Sequence, residues 1–149
     1  MAEGLTDRRI LIVEDDFVTG ELLRLGVERA GGIVLGPVSR GGTAIEVAGR
    51  EPPDAAILDV SLLDGTSIEA ARYLERRGIP YAVLTGYSPR SIPPELRAAP
   101  FLEKPVTPTA VLQVLLSLLT ARKRDDVKLG RASPTRPAKG TGIGKSPKN

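Results

Sequence analysis

The 149-residue chain contains no cysteine, no histidine and no tryptophan. Without cysteine there is no disulfide and no thiolate metal site. Without histidine the commonest general base is missing, together with the commonest transition-metal ligand and any phosphohistidine. Aromatic residues are scarce, with two Phe and three Tyr. No apolar run approaches the roughly 20 residues that a membrane span needs. The first nine residues are acidic before they are basic, and the run that follows ends in three carboxylates, so no signal peptide is read there. These absences point to a protein of the cytoplasm, of a size that suits one domain with a real core.

Acid and base are unevenly spread. Residues 1–121 carry 12 Lys/Arg against 16 Asp/Glu, a net −4, whereas residues 122–149 carry 9 against 2, a net +7. The expected folded part is mildly acidic, and the basic balance belongs to the tail. That tail, from 123 to 149, is rich in Gly, Pro, Ser, Thr, Lys and Arg and holds no aromatic residue. It cannot bury enough surface to offset ordering and is expected to be disordered. Within it, Gly140-Thr141-Gly142-Ile143-Gly144-Lys145-Ser146 imitates a phosphate-binding loop but has three residues between its outer glycines where four are needed. The tail's charge reads as solvated rather than as a nucleic-acid site.

What is present is a regular alternation of apolar runs and helix-patterned stretches. Strands are expected at Arg9–Val13, Ile33–Val38, Ala55–Asp59, Tyr81–Thr85 and Pro100–Glu103. Pro37 suits an edge position for the second of them. Helices are expected at Phe17–Ala30, Thr43–Arg50, Ser67–Arg77 and Thr107–Arg122. Val18, Leu22, Leu25 and Val27 read as the buried stripe of the first, and Phe17 as packing at its start. Gly78 closes the third, and Thr107 caps the last. Between Ser88 and Arg97 three prolines fall within six residues, so at most a short, late-starting fourth helix is expected, from Pro93 or Pro94. Strands apolar on both faces, each followed by a helix, predict an α/β fold with an open, doubly wound, five-stranded parallel sheet.

Three apolar runs end in polar residues: Ile10-Leu11-Ile12-Val13 in Glu14-Asp15-Asp16, Ala55-Ala56-Ile57-Leu58 in Asp59, and Phe101-Leu102-Glu103 in Lys104-Pro105. As neighbouring parallel strands they bring carboxylates and an ammonium to one pocket. Such a pocket suits a divalent cation, with Glu14, Asp15, Asp59 and the Ser61 backbone carbonyl as oxygen ligands. An Asp carboxylate accepts a phosphoryl group when a metal neutralises the developing charge, which makes Asp59 the nucleophile. Lys104 and Thr85 would bond phosphoryl oxygens, and Gly86 leaves room beside them.

These residues resemble the receiver domain of two-component response regulators, from about residue 7 to residue 122. The matching motifs are Glu14-Asp15-Asp16, Leu58-Asp59-Val60 with Asp64-Gly65, Thr85-Gly86-Tyr87 and Lys104-Pro105. The resemblance implies a flavodoxin-like sheet of order 2-1-3-4-5 and Asp59 as phosphoacceptor. It also implies Mg²⁺ on Asp15 and Asp59, and Thr85 and Lys104 as switch residues. A histidine kinase would be the phosphodonor. Gly78-Ile79-Pro80-Tyr81 with Leu84-Thr85-Gly86-Tyr87 is similar to single-domain receivers bearing a Thr-Gly-Tyr signature, common in alphaproteobacteria.

Leu63 stands where many receivers have Pro, and Phe101 where the switch aromatic is often Tyr. Tyr87 and Phe101 are expected to face partners, and the short fourth helix leaves a standard homodimer unassured. A 28-residue tail is too short for an output domain, so output is expected through an unidentified downstream protein or by draining phosphate from a kinase. The alternative is a constitutive docking module that uses the fold without phosphorylation. Enzymatic turnover is not expected, because Ser61 occupies the place where aspartyl-phosphate phosphatases carry a second acid.

Overall fold

The computed structural model describes residues 4–62, 65–86 and 88–128. Its main sheet holds five parallel strands: β1 (Arg9–Val13), β2 (Ile33–Val38), β3 (Ala55–Asp59), β6 (Tyr81–Thr85) and β7 (Phe101–Glu103). Two further strands, β4 (Ser61–Leu62) and β5 (Gly65–Thr66), form a small antiparallel pair just beyond Asp59, which the sequence reading had left as loop. The main order is β2-β1-β3-β6-β7, which is 2-1-3-4-5 when the small pair is set aside. β3 and β6 are buried along their whole length because helices cover both faces, while the edge strands β2 and β7 stay partly open. Pro37 lies in edge strand β2, where its missing N–H breaks no ladder. Gly36 before it adopts φ +103°, and a Cβ there would lie 2.7 Å from the Ile12 carbonyl oxygen, so only glycine fits.

Four helices wrap the sheet: α1 (Phe17–Arg29), α2 (Gly41–Arg50), α3 (Ile68–Arg76) and α4 (Pro108–Lys128). One core lies under α2 and α3, around Leu11, Leu58, Leu74 and Val83. The other lies under α1 and α4, around Ile10, Ile57, Leu23 and Leu115. Leu5, ahead of the expected domain start, is fully buried in that second core, and its N–H donates to the Ala30 carbonyl at 2.9 Å. No helix among the described residues is long and apolar enough to cross a membrane.

Three expectations need correction. The buried face of α1 is Gly20, Leu23, Gly26 and Val27. Val18, Leu22 and Leu25 are exposed, and Phe17, expected to pack, is 79% exposed. The reason is steric: Pro37 and Pro108 lie against Gly20 and Gly26, so the small residues turn inward.

The short fourth helix does not form. Two single 3-10 turns, Pro89–Ser91 and Pro94–Leu96, span that crossover, since each proline removes a donor and clashes with a preceding turn. Ile92 and Leu96 still plug the core there, and Arg97 donates from Nε to the Ile92 carbonyl at 2.9 Å and from Nη2 to the Arg90 carbonyl at 3.2 Å.

The last helix runs past Arg122 to Lys128, into the stretch expected to open the tail. Arg122 anchors it by donating to the Asp54 carbonyl at 2.9 Å. Leu63, Asp64, Tyr87 and residues 129–149 lie outside the described residues, so the expectations placed on them stay as expectations.

Candidate functional site

Parallel register brings the polar strand ends together. Val13 is level with Leu58, Asp59 with Leu84, and Thr85 with Glu103, so Glu14, Asp59, Thr85 and Lys104 reach one edge of the sheet. This edge is the carboxyl end of the strands, where doubly wound sheets bind ligands. Backbone bonds fix each position. The Glu14 N–H donates to the Val38 carbonyl at 2.8 Å, and the Lys104 N–H to the Thr85 carbonyl at 2.8 Å. Asp16 caps α1, accepting from the Thr19 N–H at 2.8 Å, and that bond holds its carboxyl below the usual range.

A cavity of about 320 Å³ opens here, lined by Asp15, Asp59, Val60, Ser61, Thr85, Gly86 and Lys104. Asp59 is only 5% exposed and Thr85 only 2%. Lys104 Nζ donates to Asp59 Oδ2 at 2.9 Å and to Glu14 Oε2 at 3.3 Å, and lies 3.1 Å from Glu14 Oε1. On its other oxygen, Asp59 accepts from the Ser61 N–H at 3.2 Å. Carboxylate oxygens of Glu14, Asp15 and Asp59 lie within 4.8 Å of one another. Glu14 sits behind the cavity wall, 3% exposed, while Asp15 stands open to solvent at its rim.

The electrostatics follow from this crowding. Burial pushes the Glu14 carboxyl up to about 8, and the neighbouring Asp59 carboxylate adds to the rise; the Asp16 N–H and Lys104 pull the other way. Burial lowers the Lys104 ammonium, yet the carboxylates of Asp59 and Glu14 outweigh it and leave it raised. An oxygen-only donor set around a cluster short of positive charge fits a hard divalent cation of the Mg²⁺ type, which keeps several of its waters. Asp15, Asp59 and the backbone at Ser61 face the space such an ion needs.

The structure therefore brings together six of the expected site residues: Glu14, Asp15, Asp59, Ser61, Thr85 and Lys104. Phe101 is on β7 away from the cavity and 44% exposed, on the face that the 3-10 turns cover incompletely. Tyr87 lies outside the described residues. Val60, which also lines the cavity, had no signal in the sequence beyond its place after Asp59.

Comparison with known proteins points one way. A family model described as the response regulator receiver domain matches residues 10–116. Among curated proteins, the transcriptional regulatory protein PdtaR of Mycobacterium tuberculosis is 28% identical over 83% of this chain and 60% of its own length. The response regulator MprA of Mycobacterium leprae is 34% identical over 79% of this chain and 54% of its own. The chain thus spans little more than half the length of these relatives. Among solved structures, SdrG of Sphingomonas melonis Fr1 superposes with a TM-score of 0.67 at 36% identity, over 78% of this chain and 98% of that one. A CheY-like receiver from Methanospirillum hungatei JF-1, 23% identical with a TM-score of 0.69 over 80% of this chain and 99% of its own, shares the fold. By motif, by sheet order and by family match, the chain belongs to the response regulator receiver domain family.

Proposed function

We propose that this chain accepts a phosphoryl group on Asp59 from a histidine kinase, with Mg²⁺, and signals through phosphorylation-dependent protein contact. One observation carries the proposal: the Asp59 carboxylate meets the Lys104 ammonium at 2.9 Å on the wall of a cavity that also holds Asp15 and Thr85. Asp15, Asp59 and the Ser61 carbonyl would hold the ion, with Glu14 behind them. Bound there, Mg²⁺ supplies charge neutralisation at the carboxylates and the incoming phosphoryl oxygens. An oxygen of Asp59 forms the new bond to phosphorus as the donor's P–N bond breaks, and the donor imidazole leaves with its electron pair. Lys104 follows the negative charge from the carboxylate to a phosphoryl oxygen, and the Thr85 hydroxyl bonds another. On the chain's own surface, Phe101 is free enough to turn when Thr85 moves. The folded unit is proposed to begin near residue 7 and to end near residue 122.

A protein donor must seat over the cavity mouth. Phe17 follows Asp16 at that mouth, and Val18, Leu22 and Leu25 continue from it as an exposed apolar row along α1, at i, i+4 and i+7. Such a row suits a helix of the donor. Autophosphorylated histidine kinases, presented with the chain, are expected to pass their label to it and not to Asp59→Asn. Phe17→Gln with Val18→Gln is expected to slow that transfer by about tenfold, a modest interface loss of roughly 1.4 kcal/mol. Uptake from acetyl phosphate should stay unchanged in the same variant. Equal slowing with both donors would place the defect in the pocket and contradict α1 as the docking face.

A further inference from the structure

Gly86 closes one side of the cavity with no side chain, and nothing in the fold asks for glycine there. Its φ lies outside the left-handed region that favours glycine. A Cβ at this position would meet only Lys104 Cδ, at 3.8 Å, an ordinary contact. Gly36 is the counterexample in the same chain, where a Cβ would strike backbone at 2.7 Å. What a side chain at 86 would remove is therefore cavity space rather than stability.

The position of that space matters. Asp59, Val60 and Thr85 form the buried floor of the cavity, and Lys104 is half-buried beside them. The exposed rim consists of Asp15, Ser61 and Gly86. Asp15 and Ser61 belong with the proposed cation ligands. Gly86 follows Thr85 and borders Lys104, the two groups proposed to hold phosphoryl oxygens, so the rim lacks a side chain on the phosphoryl side.

We infer that Gly86 is the opening through which water reaches the phosphorus atom on Asp59, and that it sets how long the phosphoryl group persists. The inference rests on the phosphoacceptor reading above. In the step concerned, a water oxygen bonds to phosphorus as the P–O bond to Asp59 breaks. Asp59 leaves as the carboxylate, inorganic phosphate departs, and the proton released goes to solvent. The chain has no histidine to draw that proton from the water. Access of water to phosphorus then governs the rate more than base strength does.

The test compares wild type with Gly86→Ala, Gly86→Ser and Gly86→Val. Each is loaded with acetyl phosphate and Mg²⁺, freed of donor, and followed by intact-mass spectrometry as the phosphoryl group is lost. Melting temperature and calorimetric Mg²⁺ affinity are measured alongside. The half-life is expected to lengthen by about tenfold in Gly86→Ala, equivalent to about 1.4 kcal/mol on the hydrolysis barrier, and further with the larger side chains. Loading should slow in the same order, because the donor uses the same opening. Melting temperature and Mg²⁺ affinity should not move in Gly86→Ala. An unchanged or shorter half-life in folded Gly86→Ala or Gly86→Ser would overturn the inference and leave the phosphoacceptor reading standing. A wild type that takes up no phosphoryl group would overturn that reading, and the inference with it.

Discussion

Glu14→Gln is expected to flatten the pH dependence of stability in the metal-free protein. Glu14 is buried, and its carboxyl is raised from 4.5 to about 8, first by burial and then by Asp59. Between those values the folded chain holds a proton that the unfolded chain does not. The unfolded state therefore binds fewer protons, and stability falls as pH rises across the window. The slope from this one group is at most about 1.4 kcal/mol per pH unit. Urea denaturation at closely spaced pH values, with Mg²⁺ chelated, should show the fall in wild type and its loss in Glu14→Gln. Added Mg²⁺ should oppose the fall, because binding favours the ionised carboxylates, and its apparent affinity should rise with pH up to about 8. A Glu14→Gln profile parallel to wild type would place the titrating group elsewhere.

The second large effect is expected from Lys104→Met. The ammonium is the cation hydrogen-bonded to both Asp59 and Glu14, at 2.9 and 3.3 Å. Its side chain is 25% exposed, whereas those of Glu14 and Asp59 are 0% and 6% exposed. Removing it strands two carboxyls that water hardly reaches. A fully buried broken pair costs about 3–5 kcal/mol. Solvent reaching Lys104, and the proton that Glu14 can share with Asp59, reduce that to about 1–3 kcal/mol. Phosphoryl uptake should suffer more, since a fixed positive charge aimed at developing negative charge is lost, and a fall of about a hundredfold is expected. Uptake that persists in Lys104→Met should no longer alter the surface around Phe101, which hydrogen exchange over residues 88–104 would report. Wild-type uptake and exchange in Lys104→Met would remove Lys104 from the account.

The sheet was legible because its strands are continuous apolar runs, and β3 and β6 are covered on both faces. The site was legible because parallel strands place their ends side by side. Polar residues following Val13, Leu58 and Leu102 could hardly avoid one another once the order was 2-1-3-4-5. Sequence alone did not say that Glu14 stands behind the wall while Asp15 faces the cavity, because that depends on how the chain turns into α1. The inner face of α1 was misread for a physical reason. Hydrophobic periodicity assumes that large apolar residues turn inward, whereas here Pro37 and Pro108 press on Gly20 and Gly26, and the apolar row faces out. The crossover between β6 and β7 was read correctly as hostile to helix, yet its prolines stop even a short α-helix and leave single 3-10 turns. α4 outran its expected end because the charged residues from Arg122 to Asp126 are compatible with helix although they lack an apolar period, and Arg122 ties them down at Asp54.

The most direct test of Asp59 as phosphoacceptor is intact-mass spectrometry of wild type and Asp59→Asn after exposure to acetyl phosphate, with Mg²⁺ and with chelator. The account predicts one added phosphoryl group on wild type with Mg²⁺, little with chelator, and none on Asp59→Asn in either condition. Equal uptake by Asp59→Asn, or none by folded wild type from either acetyl phosphate or an autophosphorylated kinase, would contradict it.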